Sequence, residues 1–156
     1  MGIRNKKIEL NNLYGELYTY ENSASIACGT ADTYYDVTGL TKGLYSSNIT
    51  LNGTAGTITI GNNAGGIYKA DLMASIQADK VSVIHMDLFV NDVEKQNIAY
   101  SRKIATANQT GSASGSGILD LNDGDIVKAK VSSDINSTNV SLVQMNINLY
   151  KVRSGL

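Results

Sequence analysis

The sequence has no proline, no tryptophan, and only one phenylalanine, one histidine and one cysteine in 156 residues. Each shortage closes off a possibility. Cys28 has no partner within the chain, so no internal disulfide braces the fold, and a zinc site drawn from one chain's Cys and His is excluded by count. Cys28 is expected as a buried, inert thiol. The single histidine, His85 in VSVIHMDLFVND, has no Gly-x-Ser-x-Gly or comparable activated-serine context, so a structural or surface role is expected and no enzyme. Thirteen Lys and Arg against fourteen Asp and Glu leave a net charge of −1, too weak a field to gather nucleic acid or an anionic membrane. No long apolar run occurs in MGIRNKKIELNN, and Lys6 stands where a myristoylation signal needs Ser or Thr, so neither a leader nor membrane insertion is expected. Without a leader, the five Asn-x-Ser/Thr sequons predict no glycans.

What is abundant is a β and turn vocabulary: 15 Gly, nine Tyr, and many Asn, Ser and Thr. From Leu13 onward, short segments of alternating apolar and polar residues recur between Gly, Asn, Asp and Ser clusters, which predicts an all-β sandwich or barrel. Strands are expected at 16–20, 25–28, 33–37, 48–51, 57–60, 66–78, 82–90, 98–104, 117–121, 125–132 and 140–152. Alternation assigns their faces. Tyr68, Ala70, Leu72, Ala74 and Ile76 should be core, opposite Lys69, Asp71, Met73, Ser75 and Gln77. Val143, Met145, Ile147 and Leu149 should be core opposite Gln144, Asn146, Asn148 and Tyr150. These second faces carry little of the Lys and Glu density of a freely solvated sheet, which suits a partner. Asn52-Gly53, Gly61-Asn62-Asn63, Asn91-Asp92 and Asp123-Gly124 supply turn residues that tolerate positive φ. The polar first dozen residues read as an arm, with Ile3, Arg4, Lys6, Lys7 and Ile8 as its contact residues; residues 13–156 form the single domain.

Two stretches imitate chemistry. Asp120, Asn122, Asp123 and Asp125 are hard oxygen donors, but the EF-hand register fails: Gly124 falls where a ligand belongs and Asp125 where the glycine belongs. GSASGSG lacks the Gly-Lys-Ser/Thr ending of a phosphate loop and leads into a strand, not a helix N-terminus. A turn and a strand start are the expected readings. No cofactor is expected. The tyrosines must supply most of the aromatic bulk of core and interfaces, since Phe and Trp are nearly absent.

The order of the pieces carries more than any one of them. GTITIGNNAGGIYKADLMASIQ places a strand before a Gly-x-Tyr that opens a long strand; HMDLFVNDVEKQ is a strand ending in a hairpin; SASGSGILDLNDGDIVKAKVS joins small residues, Leu-x-Leu and Gly-Asp-x-Val; LVQMNINLYKV is a final strand. From about Leu13 to Val152 this succession resembles the trimeric jelly rolls of the complement and tumour necrosis factor (TNF) superfamily, especially phage and bacterial relatives. The resemblance implies an all-β, ten-stranded, two-sheet antiparallel jelly-roll sandwich assembling as a homotrimer, with Tyr18, Tyr20, Met73, Gln144, Asn146, Asn148 and Tyr150 at the trimer interface. It further implies a non-enzymatic phage virion protein, a capsid decoration or head-fibre protein made in the host cytoplasm and displayed on the virion surface. Its partners would be its own copies and the major capsid protein or another virion protein, held by residues 1–12. The alternative is a receptor- or carbohydrate-binding tip of a tail fibre, taking a host-surface glycan through loops around Tyr34, Tyr35 and Tyr45 or Thr106 to Ser116.

Overall fold

A computed structural model describes residues 12–21 and 25–154. The expected docking arm, with Ile3, Arg4, Lys6, Lys7 and Ile8, lies outside the described residues. The strands are β1 (Tyr14–Tyr20), β2 (Ser25–Cys28), β3 (Tyr35–Asp36), β4 (Thr41–Tyr45), β5 (Ile49–Asn52), β6 (Thr57–Ile60), β7 (Gly66–Ala78), β8 (Ser82–Val90), β9 (Val93–Ile104), β10 (Gly111–Leu121), β11 (Ile126–Ser133) and β12 (Thr138–Ser154). Twelve strands thus stand where ten were implied, and among the described residues there is no helix.

The strands form two antiparallel six-stranded sheets. One runs β10-β7-β12-β1-β4, and β2 pairs with Thr138–Ser141 of β12 beyond the end of β1. The other runs β5-β6-β11-β8-β9, and β3 pairs with Lys130 and Val131 of β11 beyond the end of β6. After the β5–β6 hairpin the chain crosses between sheets with β7, the β8–β9 hairpin, β10, β11 and β12 in turn, which is how a sandwich brings its first and last strands side by side.

The core follows the period of two. Tyr68, Ala70, Leu72, Ala74 and Ile76 of β7 are buried as alternation requires, and the Tyr68 hydroxyl donates to the Ala64 carbonyl at 2.6 Å, satisfying its one polar atom. In β12 the expectation fails at one residue. Leu142 pairs with Ile76 but Gln144 pairs with Ser75, so Val143 is bulged out of the ladder. Leu142 therefore takes the buried place assigned to Val143, and Met145, Ile147 and Leu149 follow in the core as expected.

Two further departures have local causes. β4 is not among the expected strands: it is an edge strand with no buried position, so TKGLY shows no alternation to read. β10 begins at Gly111, six residues before the expected Gly117, because serines face outward while Gly111, Ala113, Gly115 and Gly117 face β9. A bulge in β9, where Asp87 pairs with Ala99 but Leu88 with Lys95, leaves Gln96, Asn97 and Ile98 outside the ladder. A Cβ on Gly117 would stand 2.8 Å from both the Asn97 carbonyl oxygen and Ile98 Cγ1. Asn97 Nδ2 donates to the Ile118 carbonyl at 2.9 Å, which ties the edge strands of the two sheets together.

The β8–β9 turn is as expected: Asn91 and Asp92 have φ of 49° and 63°, the type I′ geometry that matches strand twist. At Asn52-Gly53 the reversal is longer. It runs to Gly56 at φ 68°, with Asn52 Oδ1 accepting from the Ala55 N–H at 3.0 Å.

Candidate functional site

Alternation turns half the side chains of β1, β12, β7 and β10 away from the core, and the register lines them up in cross-strand rows. The rows are Tyr20–Gln144–Ser75–Ser112, Tyr18–Asn146–Met73–Ser114, Glu16–Asn148–Asp71–Ser116 and Tyr14–Tyr150–Lys69–Ile118. Tyr18, Tyr20, Met73, Gln144, Asn146, Asn148 and Tyr150, which the sequence picked from three separate strands, thus share one continuous face. The same register adds residues that were missed: Tyr14, Glu16, Ile118 and the serines of β10. Their signal was parity, since Tyr14 to Tyr20 and Ser112 to Ser116 alternate in step. Tyr20 is 63 % exposed, Ile118 55 %, Met73 48 % and Tyr150 47 %, while Leu44 of the neighbouring β4 reaches 75 %. Large apolar and aromatic groups are thus exposed on this sheet face between polar rows.

The polar groups among them are largely paired within the chain. Asn146 Nδ2 donates to Glu16 Oε1 at 2.6 Å, Ser116 Oγ donates to Asp71 Oδ1 at 2.6 Å, Lys69 stands 3.5 Å from Asp71, and the hydroxyls of Ser75 and Ser112 are 2.7 Å apart. One buried atom is left over: Asn146 Oδ1 has no hydrogen-bond partner among the described residues. Beside it lies an open trough of about 1130 Å³ bounded by Tyr18, Tyr20, Leu44, Met73 and Ser114.

The outer face of the other sheet holds the remaining candidates. His85 Nδ1 lies 2.7 Å from Ser101 Oγ, and among the described residues no ion pair positions the imidazole, so the pair lacks the third member of a triad. Asp87 is buried and accepts from the Tyr34 hydroxyl. Burial first, then that hydrogen bond, raises the Tyr34 pKa. The Tyr34 ring meets Phe89 edge to face at 5.1 Å, and Lys130 Nζ sits 4.9 Å from the Phe89 centroid. Lys128 and Lys130 each bridge Asp36 and Asp92 at 2.8–3.3 Å.

The proposed ligand tyrosines are not brought together. Tyr34 is held by Asp87, the Tyr35 hydroxyl accepts from the Thr30 N–H at 2.9 Å while its ring packs on the core, and Tyr45 lies on β4 of the opposite sheet. The acidic turn has a structural task. The Asp123 carboxylate accepts from the N–H groups of Asn63, Ala64 and Gly65 at 2.8, 3.0 and 2.6 Å, pinning the loop ahead of β7, and these bonds lower its pKa. Among the described residues no three metal-ligating side chains converge.

Topology, register and outward face define the class: a two-sheet antiparallel jelly roll of the TNF-like kind. No protein-family model and no curated protein matches the sequence. Solved structures do. The chain superposes on the Eiger TNF of S. frugiperda with a TM-score of 0.64 at 14 % identity, covering 93 % of this chain and 95 % of that one. Murine APRIL at pH 5.0 gives 0.64 at 13 % identity over 90 % and 99 %, and the globular domain of the zebrafish complement 1qA protein 0.60 at 14 % over 92 % and 99 %. At these identities what is shared is the fold.

Proposed function

We propose that the chain is a non-enzymatic structural and binding protein that assembles as a homotrimer through the β10-β7-β12-β1-β4 face, and that it decorates a virion. The observation that carries self-association is the face itself, which leaves Tyr20, Met73, Tyr150 and Ile118 about half exposed or more on one sheet. Tyrosine, methionine and isoleucine side chains held half exposed on a sheet face favour a second surface that covers them. The fold shared with Eiger, APRIL and complement 1qA supports the same reading.

The virion role rests on the succession of motifs that resembles phage jelly rolls and on the basic segment carrying Arg4, Lys6 and Lys7. Three copies of a weakly binding arm held by one trimer engage a capsid lattice with a high effective concentration. The mass in solution tests the assembly: wild type should sediment as three chains, and Met73→Glu, which puts a charge in the middle of the face, as one folded chain. Purified virions test the location. The reading expects the chain on their surface and its loss from it when residues 1–12 are deleted; a chain absent from virions refutes that role.

A glycan-binding reading is favoured by one observation, the trough in which Tyr18 and Tyr20 stand beside Glu16, Gln144 and Asn146. It requires that face to be free, so a monomer that retains a glycan in solution would replace the trimer.

A further inference from the structure

We propose that Asp87 and Glu94 hold one proton between them across the β8–β9 hairpin in mildly acidic solution, which makes the outer face of this sheet an acid-strengthened latch. Asp87 is 3 % exposed, and a buried carboxylate needs a cation or donors around it. The cation opposite it on β11 is Lys130, but that ammonium turns to Asp36 and Asp92 at 3.3 and 2.9 Å. Lys128, one row nearer the β8–β9 turn, goes to the same two carboxylates at 3.1 and 2.8 Å. Among the described residues the Tyr34 hydroxyl is the one donor to the Asp87 carboxylate, and it takes Oδ2.

The bulge in β9 decides what stands beside Asp87 on the other strand. Asp87 pairs with Ala99, whose methyl group answers no charge, while Glu94 pairs with Phe89. Phe89 and Asp87 share the outer side of β8, so Glu94, on the same side as its partner Phe89, is the diagonal neighbour of Asp87. Lys95, paired with Leu88, has the opposite parity. Two carboxyl groups in one site without a cation of their own repel when both are ionised, and one of them keeps its proton to a higher pH. Loss of water around the Glu94 carboxyl first, then the hydrogen bond and charge of Asp87, raise the Glu94 pKa above its ordinary 4.5, against a lowering by His85. The charge of Asp87 also reaches Tyr34 and Tyr100, whose pKa values are raised chiefly by burial. With the proton in place Glu94 donates to Asp87 and bridges β8 to β9 beside the bulge; without it, two charges face each other across the hairpin. A raised acid pKa contributes stability that is complete below the unfolded value and lost as pH rises through the folded one. The latch therefore closes in acid and loosens towards neutrality, opposite in sense to the Asp123 clasp.

The latch is tested on the full chain. The Glu94 carboxyl carbon, identified by its loss from the carbon spectrum in Glu94→Gln, should titrate with a midpoint above 4.5, and a midpoint at or below 4.5 overturns the pair. Glu94→Gln removes the charge at an exposed position and keeps a donor for Asp87 at every pH. Its urea midpoint should lie close to that of wild type below pH 4.5 and exceed it increasingly as pH rises through the Glu94 midpoint. A difference that does not change with pH overturns the latch. Asp87→Asn should bring the Glu94 midpoint back towards 4.5, and an unmoved midpoint overturns the sharing of the proton. Should Asp87→Asn not fold, His85→Gln identifies the titrating group. The histidine pulls Glu94 down, so its removal leaves the Glu94 midpoint raised, whereas a stability step that disappears with His85 belongs to the imidazole and overturns the pair.

Discussion

Replacing Gly117 with alanine places one methyl group where the two sheets close on each other. The new Cβ would stand 2.8 Å from the Asn97 carbonyl oxygen, 2.8 Å from Ile98 Cγ1 and 2.9 Å from Asn97 Nδ2. Backbone of a neighbouring strand cannot swing aside as a flexible side chain does, so β9 must shift and carry the Asn97–Ile118 hydrogen bond with it. Overpacking of this kind costs about 1–3 kcal/mol, offset by the roughly 0.4–1 kcal/mol that alanine contributes by stiffening the unfolded chain. The net loss is about 1–2 kcal/mol, or about 2–8 °C in Tm for a domain of this size. Gly115, two residues earlier on the same side of β10, is the internal control: its Cβ would meet only Ala99 N at 3.4 Å and Ala99 O and Ile98 C at 3.5 Å, ordinary contacts. Gly115→Ala should therefore be neutral or slightly stabilising. Thermal unfolding at one fixed protein concentration, which holds any coupling to assembly constant, compares the two. Equal melting temperatures for Gly117→Ala and Gly115→Ala would refute the close approach of β9 and β10.

Asp123→Asn removes a carboxylate whose folded pKa lies below its ordinary value of 3.8, chiefly through the Gly65 and Asn63 N–H groups. A depressed pKa contributes stability that is present above the unfolded value and lost as pH falls through the folded one, so the variant is weaker than wild type at neutral pH and converges with it as pH falls through that folded value, as urea midpoints against pH will show. Tyr34→Phe leaves the Asp87 carboxylate, 3 % exposed, without its hydroxyl donor, and urea unfolding should register a loss of about 1–3 kcal/mol. Burial pushes the Cys28 thiol up to about 11, so a thiol reagent at neutral pH should label it only in denaturant; rapid labelling of the folded protein would contradict its burial.

Several elements are legible in the amino-acid sequence alone. The strands Ser25–Cys28, Thr57–Ile60, Gly66–Ala78 and Ser82–Val90 have the expected bounds, because a half-buried strand writes its inside and outside into alternate residues. Asn91-Asp92 announces its turn because few residues accept positive φ at two successive positions. Where alternation carries no information, reading fails. β4 buries neither face, and the small residues of Gly111–Gly117 are alike on both. The bulge at Val143 moves one core assignment by a residue, since a bulge is decided by how two strands fit and leaves the sequence of each looking regular.

The candidate face divides the same way. Its membership within each strand follows from the sequence, for the period of two is a property of a single extended chain. Which strands lie beside one another, and so which residues form a row, is set by long-range pairing that no local pattern encodes. Only the tertiary structure brought Glu16 to Asn146 across 130 residues, emptied one Asn146 acceptor of partners, and turned Asp123 from an apparent ion ligand into the clasp of the loop before β7. Composition decided that this would be a sheet protein with no disulfide or Cys–His zinc site within one chain; the distances between strands far apart in the chain decided what its faces hold.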